Sequence, residues 1–153
     1  MDALISYRSL LLLNVAATWA MVGVILIVQL VHYPLFSTVG TDQFPGYEVQ
    51  HGRRITWIVA PLMIVELLSA VGLLLVRPVE VPATWLWVGV TLVAVIWVST
   101  AFVQVPLHSR LAEGFDDAAH AKLLATNWVR TVAWLLRGVL TILLLQQYLG
   151  IKR

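Results

Sequence analysis

Apolar residues run almost unbroken through four stretches, near Leu10 to Val31, Ile55 to Val76, Trp85 to Val105 and Val129 to Leu149, and polar residues collect between them. Each stretch approaches or exceeds the roughly 20 residues that an α-helix needs to cross a hydrocarbon core about 30 Å thick. The pattern predicts four transmembrane helices over approximately residues 9–34, 52–76, 84–108 and 127–149. Short loops between successive spans imply an all-α, up-down-up-down bundle. A single domain over residues 1–153 is expected, built from two tandem helical hairpins. The first run is too long for a signal-peptide core and no small-residue cleavage site follows it, so it is expected to be retained.

The polar residues at the helix ends repeat. Gln29-Leu-Val-His32-Tyr-Pro-Leu closes the first run, and Gln104-Val-Pro-Leu-His108 closes the third, with His108 seventy-six positions after His32. His51 and Arg54 open the second run, while Asn127 and Arg130 open the fourth at the same spacing. In an up-down bundle these residues share one end, and hairpins of like orientation are related by a pseudo-twofold axis along the membrane normal.

Polar positions also fall on helix faces. At 100° per residue Asn14, Thr18 and Gln29 lie within about 60° of one another and His32 about 60° from Gln29, a stripe that faces protein rather than lipid. Thr100, Gln104 and His108 share a face at four-residue spacing, and Asn127, Arg130, Thr131, Trp134, Arg137, Gly138 and Thr141 form a polar face through the last helix. Pro61 is expected to kink the second helix. Glu66 and Arg137 are the deepest charges, and an ionisable group at that depth needs a partner. Aligning Arg54 with Arg130 leaves Glu66 and Arg137 about five residues apart in depth, roughly 7 Å, which an arginine side chain can bridge. A structural ion pair is the expected role, with a proton relay or cation-coupling carboxylate as its rival. The first loop, Ser37 to Gln50, reads as ordered turns or a short interfacial segment. The third, Ser109 to Thr126, reads as polar chain that can lie on the membrane surface as a short helix, with His120 an ordinary loop residue.

Composition agrees with a membrane class. The 153 residues are 60% hydrophobic and 12% charged, with a mean hydropathy of +0.88. The absence of cysteine removes disulfides, thiolate nucleophiles, iron–sulfur clusters and Cys-ligated metals, leaving histidine and carboxylate chemistry. The net charge of +2 carries no basic run that would suggest nucleic acid. Lys and Arg divide evenly between the two ends. If the arginines near the polar cluster serve a site rather than topology, the termini are cytoplasmic, in a bacterial inner membrane.

Imidazole ligates zinc, copper and iron, so His32, His51 and His108, brought together from three helices, are candidate ligands of a transition metal. Haem between His32 and His108 is a further possibility, and histidines that merely bond loop carbonyls are the plainer one. Arg54 and Arg130 are candidates for holding an anionic head group or a substrate enolate or phenolate, against snorkelling to lipid phosphate. Asn127 joins them as a candidate catalytic residue, and Gln29 and Gln104 as cofactor-binding ones. Trp57 and Trp134 each follow an arginine by one turn and are candidates for lining an aromatic pocket, against simple packing.

Gln104-Val-Pro-Leu-His108, followed by Thr126-Asn127-Trp-Val-Arg130-Thr131, resembles the Asn-Val-Pro-Leu-Asn and Asn-x-x-Arg-Thr motifs of small four-helix membrane proteins related to anthrone oxygenases. The resemblance covers roughly residues 104–145. It implies oxygenation of aromatic polyketide intermediates, with Gln104, His108, Asn127 and Arg130 as pocket residues. The chain departs from that pattern at Gln104 and His108, where asparagines are usual, and in having His32 and His51. The expectation is a membrane-embedded oxidoreductase, an oxygenase in the terms of the resemblance, with a hydrophobic small molecule as substrate, the lipid bilayer as partner and a homo-oligomer left open. A small proton-coupled transporter using Glu66 and a haem-bearing electron carrier are the alternatives.

Overall fold

The structure, a computed structural model, describes residues 2–151, and the surroundings of side chains from 7 to 150. Its four candidate membrane spans are Tyr7–Thr38, Phe44–Leu75, Ala83–Glu113 and Asp117–Gly150, and no strand occurs among the described residues. Helix α1 (Asp2–Ile27) passes into a π-helical turn, Val28–His32, and a 3-10 turn, Pro34–Thr38. Helix α2 is Phe44–Leu75. Helix α3 (Ala83–Ser99) continues through a second π turn, Thr100–Gln104, into α4 (Val105–Glu113), and α5 (Asp117–Ile151) completes the chain. The protein is an integral membrane four-helix bundle.

The spans run longer into the loops than the apolar pattern predicts. Helix α2 starts at Phe44 rather than near residue 52 because Pro45 occupies its first turn, where a missing N–H costs nothing and the fixed φ suits a helix. Helix α5 starts ten residues earlier than residue 127. Asp116 caps it, its Oδ1 accepting the Ala119 N–H at 2.8 Å, and Arg110 Nε donates to its other oxygen at 3.0 Å. The cap, and then the Arg110 guanidinium, hold the Asp116 carboxyl below its ordinary range. Most of the polar third loop is therefore helix. Pro61 sits inside α2, on an exposed face.

Helix α1 packs on α2 and α5, and α3 packs on α5 and α2, which leaves α2 and α5 diagonal. The Glu66–Arg137 pair crosses the bundle between them, with Arg137 Nε 2.7 Å from Glu66 Oε1. Thr18 donates to the same oxygen at 2.7 Å and Trp134 Nε1 to Oε2 at 3.0 Å. Arg137 Nη1 donates to the Gly89 carbonyl at 2.6 Å, and Nη2 reaches Asn14 Oδ1 and Thr18 Oγ1, each at 3.3 Å. Asn14 Nδ2 in turn donates to Ser69 Oγ and to the Glu66 carbonyl. All four spans thus meet at one polar layer. Apolar clusters flank it: Tyr7, Leu11, Leu73, Leu86 and Leu144 towards the termini, and Met21, Ile25, Met63, Ile96 and Trp134 towards the other end.

Removing one member of such a pair leaves a charge buried without its partner. Glu66→Ala and Arg137→Ala are each expected to cost about 3–5 kcal/mol, and a Glu66→Leu/Arg137→Met double variant substantially less than their sum. Thermal unfolding in detergent checks this. Because the Asp116 carboxyl is held low, its stabilising contribution is present above its unfolded-state pKa and is lost as pH falls through the folded one. Asp116→Ala is expected to lower the unfolding temperature and to flatten that acid dependence, which a melting series across pH reads directly.

Candidate functional site

The two π turns both pack on α5 at the end of the bundle away from the termini. An extra residue in a helical turn re-aims the side chains around it and often marks a functional site. In the first turn, Gln29 and His32 are redirected; in the second, Thr100 and Gln104. Between them lies a cavity of about 400 Å³. Its apolar floor includes Met21, Ile25, Met63, Trp97 and Trp134, and its polar end is formed by Tyr33, His51, Thr100, Gln104, His108 and Arg130.

Arg130 is buried and sits where α5 passes both π turns. Its Nε and Nη2 donate to Asn127 Oδ1 at 2.9 and 2.6 Å, and its Nη1 donates to Thr100 Oγ1 at 3.2 Å. Nη2 also points to the Tyr33 hydroxyl at 3.5 Å. A guanidinium has five N–H donors. These contacts account for four, which leaves one on Nη1. Among the described residues no carboxylate pairs with Arg130. Asn127 is in turn fixed by Gln29, whose Oε1 accepts Asn127 Nδ2 at 2.8 Å and whose Nε2 donates to the Leu124 carbonyl at 3.3 Å. Gln29 is thus a strut between α1 and α5 and does not line the cavity. Gln104 does line it. Its Nε2 donates to Thr126 Oγ1 at 3.1 Å, and its buried Oε1 accepts no hydrogen bond.

The histidines divide into two relays. The Tyr33 hydroxyl donates to His108 Nε2 at 2.7 Å, and His108 Nδ1 is bound tightly to the buried Glu48 carboxylate. Separately, His51 Nδ1 lies 3.0 Å from His32 Nε2, which the Tyr47 hydroxyl also reaches at 3.2 Å. If His32 Nε2 is the acceptor of both, His51 carries its proton on Nδ1 and keeps an Nε2 lone pair unused in this network.

In this structure the histidines of the expected metal set are hydrogen-bonded to other side chains. Both ring nitrogens of His108 are committed to Tyr33 and Glu48, and His32 Nε2 is committed to His51 and Tyr47. Among the described residues no three His, Asp or Glu side chains are grouped to hold one ion. Haem ligation by His32 and His108 would break the same bonds. Glu66 does not line this cavity, and its carboxylate oxygens are both bonded within the ion-pair layer, a structural setting rather than that of an exchanging carboxylate.

The sequence repeat is not carried into the site. Arg54 is exposed where its counterpart Arg130 is buried, and Trp57 is 76% exposed where Trp134 is fully buried. The pseudo-symmetric readings of Arg54 and Trp57 as pocket residues are corrected accordingly. Sequence reasoning also missed Glu48 and Tyr47 as partners of the site, while Thr100, read on one face with Gln104 and His108, joins them there. Glu48 sits one turn before His51 on α2, and Pro45 was the signal that the helix begins early enough to place it there. His120 is no ordinary loop residue: it is buried, its Nε2 bonds the Tyr33 carbonyl at 2.8 Å, and its ring lies against Phe36 and Phe115.

The donor geometry gives a direct expectation. Treating the purified protein with a chelator should leave its unfolding temperature and near-ultraviolet circular dichroism unchanged, whereas a metal that co-purifies stoichiometrically and is lost in His108→Ala would contradict the reading of these histidines. Comparisons of the chain with protein-family models, with curated proteins and with solved structures found no match.

Proposed function

We propose that the protein is a membrane-embedded enzyme that removes a proton from a hydrophobic ring compound and stabilises the resulting enolate or phenolate, with oxygenation of that carbanion as the overall reaction. The observation that carries this reading is Arg130: a buried guanidinium without a bonded carboxylate, with one N–H unassigned, at the polar end of an apolar cavity. A preorganised donor of this kind stabilises charge that develops in the transition state and costs no reorganisation when it does. Asn127 and Thr100 hold Arg130 in place. His51, which lines the cavity with its Nε2 unbonded, is the proton acceptor, and Tyr33, backed by His108 and Glu48, is the second polar group beside the oxyanion.

The resemblance to anthrone oxygenase relatives supplies the reaction class. A ring methylene next to a conjugated carbonyl loses a proton, the carbanion takes up dioxygen, and loss of water leaves a second carbonyl. One substrate CH₂ and one O₂ give one C=O and one H₂O, so the balance requires no additional reductant. In cellular terms the reading places the site at the outer side of a bacterial inner membrane, with both termini in the cytoplasm.

The test uses anthrone as probe, with the protein in lipid nanodiscs and oxygen uptake as the signal. One O₂ is expected per anthrone converted to anthraquinone. Arg130→Met is expected to lower kcat by about 10²–10³-fold, and His51→Phe by about 10²–10⁴-fold. Oxygen uptake no faster than with empty nanodiscs, or parental rates in both variants, would overturn the oxygenase reading.

A further inference from the structure

The cavity wall has an asymmetry that the chemistry at Arg130 does not use. Most of its lining is buried or half-buried, and the lining residues that are exposed, Thr56, Val105 and Ser109, all lie on α2 and α4. Beside them stand Trp57 at 76% and Phe102 at 77% exposed, and Val105 itself is 53% exposed. Apolar side chains so exposed on a membrane span face hydrocarbon. The two hydroxyls of this rim are turned back into their own helices: Thr56 Oγ1 donates to the Gly52 carbonyl at 2.7 Å and Ser109 Oγ to the Val105 carbonyl at 3.1 Å. Their donors are satisfied, so the rim asks nothing polar of a molecule that crosses it.

Gly52 lies in the same wall. Glycine is the poorest helix former apart from proline, and at three positions close packing accounts for it: a Cβ at Gly72, Gly89 or Gly138 would meet a neighbouring side chain at 3.0, 3.3 or 3.4 Å. At Gly52 a Cβ would meet nothing within 4 Å. Gly23, Gly46 and Gly150 are equally open but do not line the cavity. The missing side chain at Gly52 keeps space clear in front of the polar end.

We infer that the cavity is loaded sideways from the bilayer, through an aperture between α2 and α4 with Gly52 as its sill, by a membrane-dissolved ring compound that carries a single carbonyl or hydroxyl oxygen to Arg130. The inference rests on the reading of the cavity as a substrate site. It adds the phase from which the substrate comes and the residue that limits its bulk. Charge complementarity decides the orientation. The oxygen end meets the unassigned Arg130 N–H and the ring body lies among Met63, Trp97 and Trp134, while a water-soluble polyanion finds one cation and an apolar wall.

The chain has no cysteine, so one introduced thiol reports alone. Gly52→Cys in nanodiscs is treated with a lipophilic pyrenyl maleimide or a charged, sulfonated maleimide, each rate normalised to Asp42→Cys in the exposed first loop. The lipophilic reagent is expected to be faster at Gly52→Cys by roughly tenfold or more, since thiol modification follows access, and anthrone is expected to protect that site. Equal normalised rates would show that the cavity opens to water, and labelling indifferent to anthrone would show that Gly52 does not border the ligand. Both outcomes would overturn the inference, and neither depends on turnover. In the enzymatic arm, Gly52→Phe is expected to lower kcat/KM for anthrone by about tenfold or more with an unfolding temperature within a few degrees of the parent. Unchanged kcat/KM would count against the sill even where the oxygenase reading stands.

Discussion

A bilayer core supplies no hydrogen-bond partner, so every polar group that this chain carries into it must be answered by another. That constraint organises the bundle. At its centre Glu66 and Arg137 answer each other across the diagonal, Thr18 and Trp134 donate to the Glu66 carboxylate, and Asn14, Thr18 and the Gly89 carbonyl accept from Arg137. The layer ties all four spans together at one depth and leaves the two apolar clusters on either side to pack as ordinary core. The second buried arginine follows the opposite rule. Arg130 is surrounded by neutral oxygens from Asn127, Thr100 and Tyr33, so its charge is positioned without being bonded to a carboxylate. The nearby carboxylate, Glu48, is instead engaged with His108. The contrast between a cation bonded to a carboxylate and one held by neutral oxygens separates scaffold from site.

Much of this was legible in the chain because lipid makes polarity conspicuous. Asn14, Thr18, Glu66 and Arg137 stand out against apolar runs, and simple helix arithmetic brings Glu66 to within an arginine's reach of Arg137. The clustering of His32, His51, His108, Asn127 and Arg130 at one end follows from alternation of direction alone. What was not legible depended on where helices begin. A loop reading for residues 37–50 hid Glu48 and Tyr47, although Pro45 in the first turn extends α2 to include both. The polar stretch around Asp116 similarly concealed a capped helix start, and with it the burial of His120 under the Tyr33 carbonyl.

The duplicated motif misled in a useful way. Sequence spacing makes Arg54 and Arg130 equivalent, but the π turns at Val28–His32 and Thr100–Gln104 re-aim only the side chains near them, and nothing in a wheel of 100° per residue announces such a turn. One arginine ends on the exposed surface and the other beneath two turns and a tyrosine. The histidines, read as a ligand set, instead form two hydrogen-bonded relays, because each finds a tyrosine, a carboxylate or another imidazole at bonding distance before any shared centre. An approximate internal repeat has thus produced one asymmetric site.

The central claim is that the cavity favours an anionic oxygen at Arg130. It is tested most directly by the ionisation of a bound phenol, followed through the ultraviolet difference spectrum of 1-naphthol on protein in nanodiscs. An apolar pocket by itself raises a phenol's pKa, whereas a close guanidinium lowers it. The account requires bound naphthol to ionise at lower pH than naphthol dissolved in empty nanodiscs, and that downward shift to vanish in Arg130→Gln. A shift upward on binding, or one that Arg130→Gln leaves untouched, would contradict it.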